Sequence, residues 1–177
     1  MGTIFVDNLE PQSGTSLTLG ASGDTVSLTS GAVQGGFLNP AFFAYQSSAQ
    51  SIGNTTQTVV QYDTVLYDTD SAYSTSDYRF TPQKAGKYYV GMTVRYNNVN
   101  SARCIGYLYK NNVLYAVDEQ WSDSSSGPDL TAQNYAIINM NGSSDYVDAR
   151  TYHDKGFAVN TYPVYEAVNF FAYRIGT

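Results

Sequence analysis

The chain has 177 residues, with 17 Tyr and 8 Phe against 9 Lys+Arg, and a formal net charge of −6. Such a length bounds it to one domain plus a short extension, enough to bury a sizeable core. The acidic balance excludes a nucleic-acid partner, which needs clustered Lys and Arg, and no apolar run approaches the ~18 residues of a membrane span, so no membrane insertion is expected.

Residues 1–36 form the first expected unit. They hold no Tyr. They carry a repeat: Ser13-Gly14-Thr15-Ser16-Leu17-Thr18-Leu19 returns nine residues on as Ser22-Gly23-Asp24-Thr25-Val26-Ser27-Leu28, with a fragment at Ser30-Gly31-Ala32-Val33. Each copy reads as a turn and a short strand with apolar residues at alternate places. So few copies cannot bury their apolar face alone, because repeats need neighbours. Either the segment is a disordered Ser/Gly/Thr leader, or three chains supply each other's neighbours in a β-structured stalk. The phasing of the apolar residues favours the stalk. Gly35-Gly36 is the hinge. Met1-Gly2-Thr3 runs into polar sequence with no secretory signal, so synthesis in a cytosol is expected.

Residues 37–177 form the second unit, expected to be all-β, because aromatic and β-branched residues fit pleated surfaces and helix-forming runs are absent. Its clearest element is 78–96. Pro82 cannot donate to a ladder and ends one strand, and Ala85-Gly86 makes a turn. Tyr88, Val90, Met92, Val94 and Tyr96 then alternate with Lys87, Tyr89, Gly91, Thr93 and Arg95, the period-2 mark of a half-buried strand. The full expectation is a strand near 40–46, then 57–68, 78–82, 87–96, 103–110, 113–118, 131–141, 144–152 and 165–175. Cys104 stands alone and makes no intrachain disulfide; it reads as a small buried hydrophobe.

The connections alternate in length. Those at 69–77, 97–102, 119–130 and 153–164 are long or moderate, and those at 83–86, 111–112 and 142–143 are short. In an antiparallel up-down order, successive connections lie at opposite ends. All the long loops are therefore expected at one end, distal to the stalk. Irregular loops on a rigid scaffold are where binding concentrates. The candidate ligand-binding residues there are Asp70, Tyr73, Asn98, Asn100, Trp121, Asp123, Asp129, His153, Asp154 and Tyr162.

Catalysis is not expected. His153 is the single histidine and begins a loop, and a Ser-His-Asp site needs a positioned Ser as well. G-x-S-x-G, HExxH, CxxC and P-loop patterns are all missing. Asp118, Glu119 and Asp123 flank the only Trp, Trp121. That cluster could solvate a loop whose Trp caps the core, or hold a sugar ring by stacking and hydroxyl contacts; as a hydrolase it would need two facing carboxylates. No cofactor is expected. Calcium stays open at Asp68, Asp70 and Asp77, although the EF-hand spacing is missing.

Phe80, Gly86 and Tyr88 resemble the F-T-x-P-x-x-G-x-Y-x-F signature of C1q-like domains, the jelly roll shared with the tumour-necrosis-factor superfamily. Pro82 stands one place early and Val90 replaces the last aromatic. Pro40-Ala41-Phe42-Phe43-Ala44 resembles the opening P-A-F-x-A, and Val60-Gln61-Tyr62-Asp63 the V-x-F-D of the next strand. Leu108-Tyr109-Lys110-Asn111-Asn112 resembles L-x-K-N-G, Asp145-Tyr146-Val147 a late D-x-V, and Asn169-Phe170-Phe171-Ala172-Tyr173 the closing F-S-G-F. The resemblance implies an antiparallel jelly-roll sandwich and a tight homotrimer around an aromatic-lined axis. Tyr88, Tyr96, Tyr107, Tyr109, Phe171 and Tyr173 are the strand aromatics that suit this interface. Some heads of this family hold calcium near the apex.

The stretch IFVDNLEPQSGTSLTLGASGD is similar to the leader of bacteriophage fibre proteins, notably those of cyanophages. It implies that Ile4, Phe5, Val6 and Leu9 anchor the chain to tail or capsid proteins of a virion, and that the distal loops meet a host-surface glycan such as lipopolysaccharide. A trimer decorating a capsid, or a tail adaptor with no host ligand, is the alternative.

Overall fold

The computed structural model describes residues 11, 13, 21–25, 39–97, 99–123, 129–164 and 166–176. The chain divides into two units, Met1–Gly35 and Gly36–Thr177. In the first, the described turn belongs to the second repeat copy. Asp24 N–H donates to Ala21 O (3.0 Å), Ala21 N–H donates to Asp24 Oδ2 (2.7 Å), and Gly23 takes a φ of +96°, where a side chain would be strained. The repeat's strands and Ile4, Phe5, Val6 and Leu9 lie outside the described residues.

Among its described residues the second unit contains only strands, turns and loops. The strands are β1 (Ala41–Tyr45), β2 (Ser51–Ile52), β3 (Thr58–Val59), β4 (Thr64–Asp68), β5 (Tyr73–Ser74), β6 (Arg79–Phe80), β7 (Gly86–Arg95), β8 (Ala102–Lys110), β9 (Val113–Ser122), β10 (Thr131–Met140), β11 (Val147–His153), β12 (Val159–Asn160) and β13 (Val168–Gly176). The first sheet has the order β10-β7-β13-β1-β4. The second runs β5-β6-β11-β8-β9, with β3 also on β11, and β12 pairs with β2. Every pairing is antiparallel.

The two sheets face each other over an aromatic core. Phe42 stacks on Tyr73 (4.8 Å between ring centroids) and Phe80 (4.6 Å) and meets Phe170 edge-on (5.0 Å). Buried hydroxyls are satisfied, as they must be away from water. Tyr73 donates to Tyr62 O (3.0 Å), and Thr151 donates to Ile105 O (3.1 Å), so the Tyr96 hydroxyl is left to donate to Thr151 (2.5 Å). Burial raises the phenol pKa of Tyr62, Tyr73 and Tyr96 well above the ordinary value. It also pushes the Cys104 thiol up to about 12, which removes the thiolate at neutral pH. We expect a thiol reagent to leave the native protein unmodified and to label Cys104 once denaturant is added; prompt labelling of the native chain would contradict this burial.

The short strands β2, β5 and β12 fall in segments where no strand was expected, and three expected strands differ in extent. The segment 57–68 is two strands in two sheets: β3 pairs with β11, and β4 pairs with β1. The chain crosses between them with Val60 and Tyr62 both buried. The alternation therefore persists through the crossing and conceals it. The strand at 78–82 shrinks to β6, because Tyr78 adopts a φ of +56° and only Arg79 and Phe80 extend. In contrast, β9 runs four residues past 118, placing Glu119, Gln120 and Trp121 opposite Ile105, Cys104 and Arg103.

These differences change the polarity of the unit. Because β6 is too short to traverse the sandwich, the connections at 69–72 and 81–85 share one end. Thr81 N–H donates to Ala72 O (2.7 Å), and Lys84 pairs with Asp70 (2.9 Å). The turns at 111–112 and 141–146 lie at this turn end too. The opposite, loop end gathers the described residues of the other connections, 97, 99–101, 123, 129–130, 154–164 and 166–167, together with 46–57.

The turn end is tied by Asp145. Its carboxylate accepts from Lys110 Nζ (2.7 Å), Asn111 Nδ2 (2.8 Å) and the Asn141 N–H (2.9 Å). The hydrogen bond from Lys110 is the main reason its pKa lies below the usual value. A lowered folded pKa means stabilisation that is fully present above the ordinary Asp range and is lost as pH falls through the folded value. We expect Asp145→Ala to lose about 2 kcal/mol at neutral pH. The gap between wild type and variant in urea midpoints should narrow as pH falls below the ordinary Asp range and through the lowered folded value. A gap that persists unchanged into acid would mean that the carboxylate charge contributes nothing.

Candidate functional site

The first sheet has an inner face in the core and an outer face made of aromatic rings. Registers put Tyr135 and Phe171 on either side of Gly91, Phe43 opposite Phe171, and Tyr67 opposite Phe43. Ile137 and Tyr173 flank Tyr89 in the next row. Ring contacts link the band: Tyr67 to Phe43 (6.3 Å), Phe43 to Phe171 (6.3 Å), Phe171 to Tyr135 (6.4 Å), Tyr135 to Tyr89 (6.2 Å) and Tyr89 to Tyr173 (5.5 Å). Gly91 makes this continuity possible. A Cβ there would stand 2.5 Å from Phe171 Cζ and 2.7 Å from Tyr135 Cδ1, so the two rings close over the space that a side chain would take. Ile137 is 55% exposed and Tyr67 47%. A band of rings across five strands on one open face is the feature that marks an interaction surface.

The six aromatics expected at an interface divide among three places. Phe171 and Tyr173 lie in this band. Tyr88 and Tyr96 are fully buried inside the single chain, so neither can touch a partner; Tyr88 packs edge-on against Phe80 and Tyr96 against His153. Tyr107 and Tyr109 lie on the outer face of the other sheet, where the Arg150 guanidinium covers the Tyr109 ring at 3.9 Å. Period-2 alternation separates the two faces of a strand without saying which is inward. Phe43, Tyr67, Tyr89, Tyr135 and Ile137 complete the band, and alternation alone does not mark them as one shared surface.

The expected ligand-binding residues also separate. Asp70 is at the turn end, paired with Lys84. Tyr73 is buried against Phe42. His153 is buried too: its Nε2 lies 3.0 Å from Ile52 O and its Nδ1 accepts from the Lys155 N–H (3.3 Å). These two hydrogen bonds make Nε2 the protonated nitrogen, and the ring braces the core. Asn98 lies outside the described residues.

The others occupy the loop end in two groups on opposite outer faces. On the first sheet, Arg95 holds Asp129 (3.8 Å) and covers the Tyr162 ring (5.0 Å). On the second, Arg103 meets Asp154 (3.4 Å from Nε), Glu119 (3.8 Å from Nη1) and the Tyr152 hydroxyl (3.3 Å from Nη2). Trp121 stands directly opposite Arg103, and exposed Asp123 follows just beyond β9. Lys155 Nζ donates to Asn100 nearby (3.3 Å). Trp121 is 68% exposed and so does not cap the core.

Asp68, Asp70 and Asp77 do not converge. Asp68 accepts from the Tyr73 N–H (2.8 Å), Asp70 pairs with Lys84, and Asp77 meets Ser74 (3.5 Å). Among the described residues no three acidic, His or Cys side chains are grouped to hold a metal ion.

No protein-family model and no curated protein matches the sequence. Solved structures do share the architecture. The globular domain of zebrafish complement 1qA superposes with a TM-score of 0.57 at 15% identity, over 77% of this chain and 98% of that one. Eiger TNF from S. frugiperda gives 0.54 at 10% identity, over 76% and 90%. Murine APRIL gives 0.57 at 6% identity, over 76% and 97%. The second unit is thus an antiparallel jelly-roll sandwich of the C1q/TNF type.

Proposed function

We propose that this C1q-like jelly roll is the head of a homotrimeric, non-enzymatic bacteriophage fibre protein whose loop end meets a host-surface glycan. The observation that carries the reading is the outer face of the first sheet. Six aromatic rings and Ile137 form one band there, with Tyr67, Tyr135 and Ile137 exposed, the kind of contiguous apolar surface that serves association. Three copies related by a threefold axis would each lay this band against a neighbour, and obligate interfaces of this kind resemble a core cut apart. Exposed Val113 and Tyr115 at the turn-end half of the β9 edge offer apolar surface for the neighbouring band to meet.

The fibre context rests on the sequence: the phage-like leader, and a Ser/Gly/Thr repeat that needs partner chains. In this reading the first unit anchors the chain to other virion proteins, and the finished protein resides in the virion after synthesis in the host cytoplasm. β1 begins and β13 ends at the turn end, opposite the loop end. Three heads on one shaft would raise avidity well above a single weak sugar contact.

The test is the mass of the full chain by light scattering or sedimentation equilibrium, followed by binding to lipopolysaccharide from candidate hosts. A trimer that binds is the expected result. A monomer at micromolar concentration would remove the quaternary argument, and a trimer blind to every host glycan would favour capsid decoration.

A further inference from the structure

We propose that the loop end of the second sheet's outer face is a binding subsite for a neutral hexose unit of a polysaccharide. Trp121 supplies the stacking surface, and the Arg103, Glu119 and Asp154 side chains supply the hydroxyl contacts. The inference rests on the glycan-binding reading above and narrows its site to Trp121 and Asp154, joined by Arg103 on β8 and Glu119 on β9.

The subsite is built by strand register. Trp121 on β9 is opposite Arg103 on β8, so their Cβ atoms lie side by side on one face. Arg103 is in turn tied to Asp154: its N–H donates to Asp154 Oδ1 (2.7 Å), and the Asp154 N–H donates back to Arg103 O (3.3 Å). One row therefore reads Trp121, Arg103, Asp154. The next row reads Glu119, Ile105, Tyr152. Ile105, the middle member of the second row, is only 7% exposed. The Arg103 guanidinium spans the two rows, facing Glu119, Asp154 and Tyr152 and lying over the Tyr152 ring (5.3 Å).

The chemistry selects a sugar. A pyranose has an apolar C–H face and a polar rim. An indole two-thirds exposed, on a strand paired with β8, offers an apolar plane for that C–H face. Beside it stand two carboxylates that accept and one guanidinium that donates, which matches vicinal hydroxyls. The Arg103 Nε atom is buried and makes no aligned hydrogen bond, although Asp154 is near. Two carboxylates against one guanidinium leave no surplus positive charge for an anionic sugar, so the ligand is neutral. No enclosing cavity is needed, because a polysaccharide lies along a flat face and repeats its contacts.

Trp121 is the only Trp of the chain, so its fluorescence reports this one place. The full-length protein is titrated with mannan, dextran and galactan, and in parallel with an anionic polysaccharide. Binding is also read independently on immobilised glycan. The expected result is a saturable change in Trp121 emission with a neutral polysaccharide, insensitive to added salt. Trp121→Ala and Glu119→Gln should each weaken immobilised-glycan binding about tenfold or more, with the oligomeric mass unchanged. Binding that leaves the emission unchanged and survives Trp121→Ala overturns this subsite while keeping the glycan reading. Salt-sensitive binding of the anionic polysaccharide alone also overturns it. Failure to bind any glycan, lipopolysaccharide included, overturns both.

Discussion

Phe42→Ala is expected to destabilise the jelly roll by about 3–5 kcal/mol, the range for removing a buried aromatic side chain. Phe42 is fully buried on β1. It touches a ring on each of β5, β6 and β13, with Tyr73 stacked nearly parallel at 4°. Each aromatic pair adds roughly 0.5–1.5 kcal/mol beyond burial, so the upper half of the range applies. The missing ring also unseats Tyr73, whose hydroxyl holds the Tyr62 carbonyl at the sheet crossing. Against a typical net stability of about 5–15 kcal/mol, the variant should unfold at a much lower urea concentration. Phe42→Leu should lose much less. A loss under about 1 kcal/mol for the alanine variant would mean that this core is not packed as described.

Phe171→Glu should leave the protomer folded and abolish assembly. Phe171 is half-buried at the centre of the outer band, between Phe43, Tyr89 and Tyr135. A carboxylate there meets water in a monomer. In a threefold assembly three carboxylates would be buried without partners, each at a penalty of about 3–5 kcal/mol. The expected mass is one third of the wild-type value, with an unchanged far-ultraviolet spectrum. Tyr107→Glu is the control, because Tyr107 lies on the opposite outer face. Its mass should not change. The reverse pattern would move the interface to the second sheet.

How far the sequence alone reaches depends on whether both sides of a strand differ. In β7 they do: Tyr88, Val90, Met92 and Val94 are buried while Lys87 and Arg95 are exposed, and the strand is legible to within one residue at each end. In β9 they do not. It lies at the sheet edge and is exposed on both faces, so no alternation marks it and its charged end reads as loop. That misreading hid the pairing of Trp121 with Arg103. The 57–68 segment fails in the opposite way, since Val60 and Tyr62 keep their rhythm while the chain changes sheets. Likewise, Tyr88 and Tyr89 are chemically alike neighbours on opposite faces. Only the sandwich decides which is core and which is surface.

The two ends of the jelly roll leave side by side. Arg174 N–H donates to Pro40 O (3.2 Å), and Ala41 faces Tyr173 across the β1–β13 ladder. The unit is therefore a plug with both stems on one side. It could be spliced into a surface loop of an unrelated carrier through two short linkers, with little loop-closure entropy to meet. A peptide grafted at the exposed Gly156-Phe157 step would then be displayed on the far side, clear of the carrier.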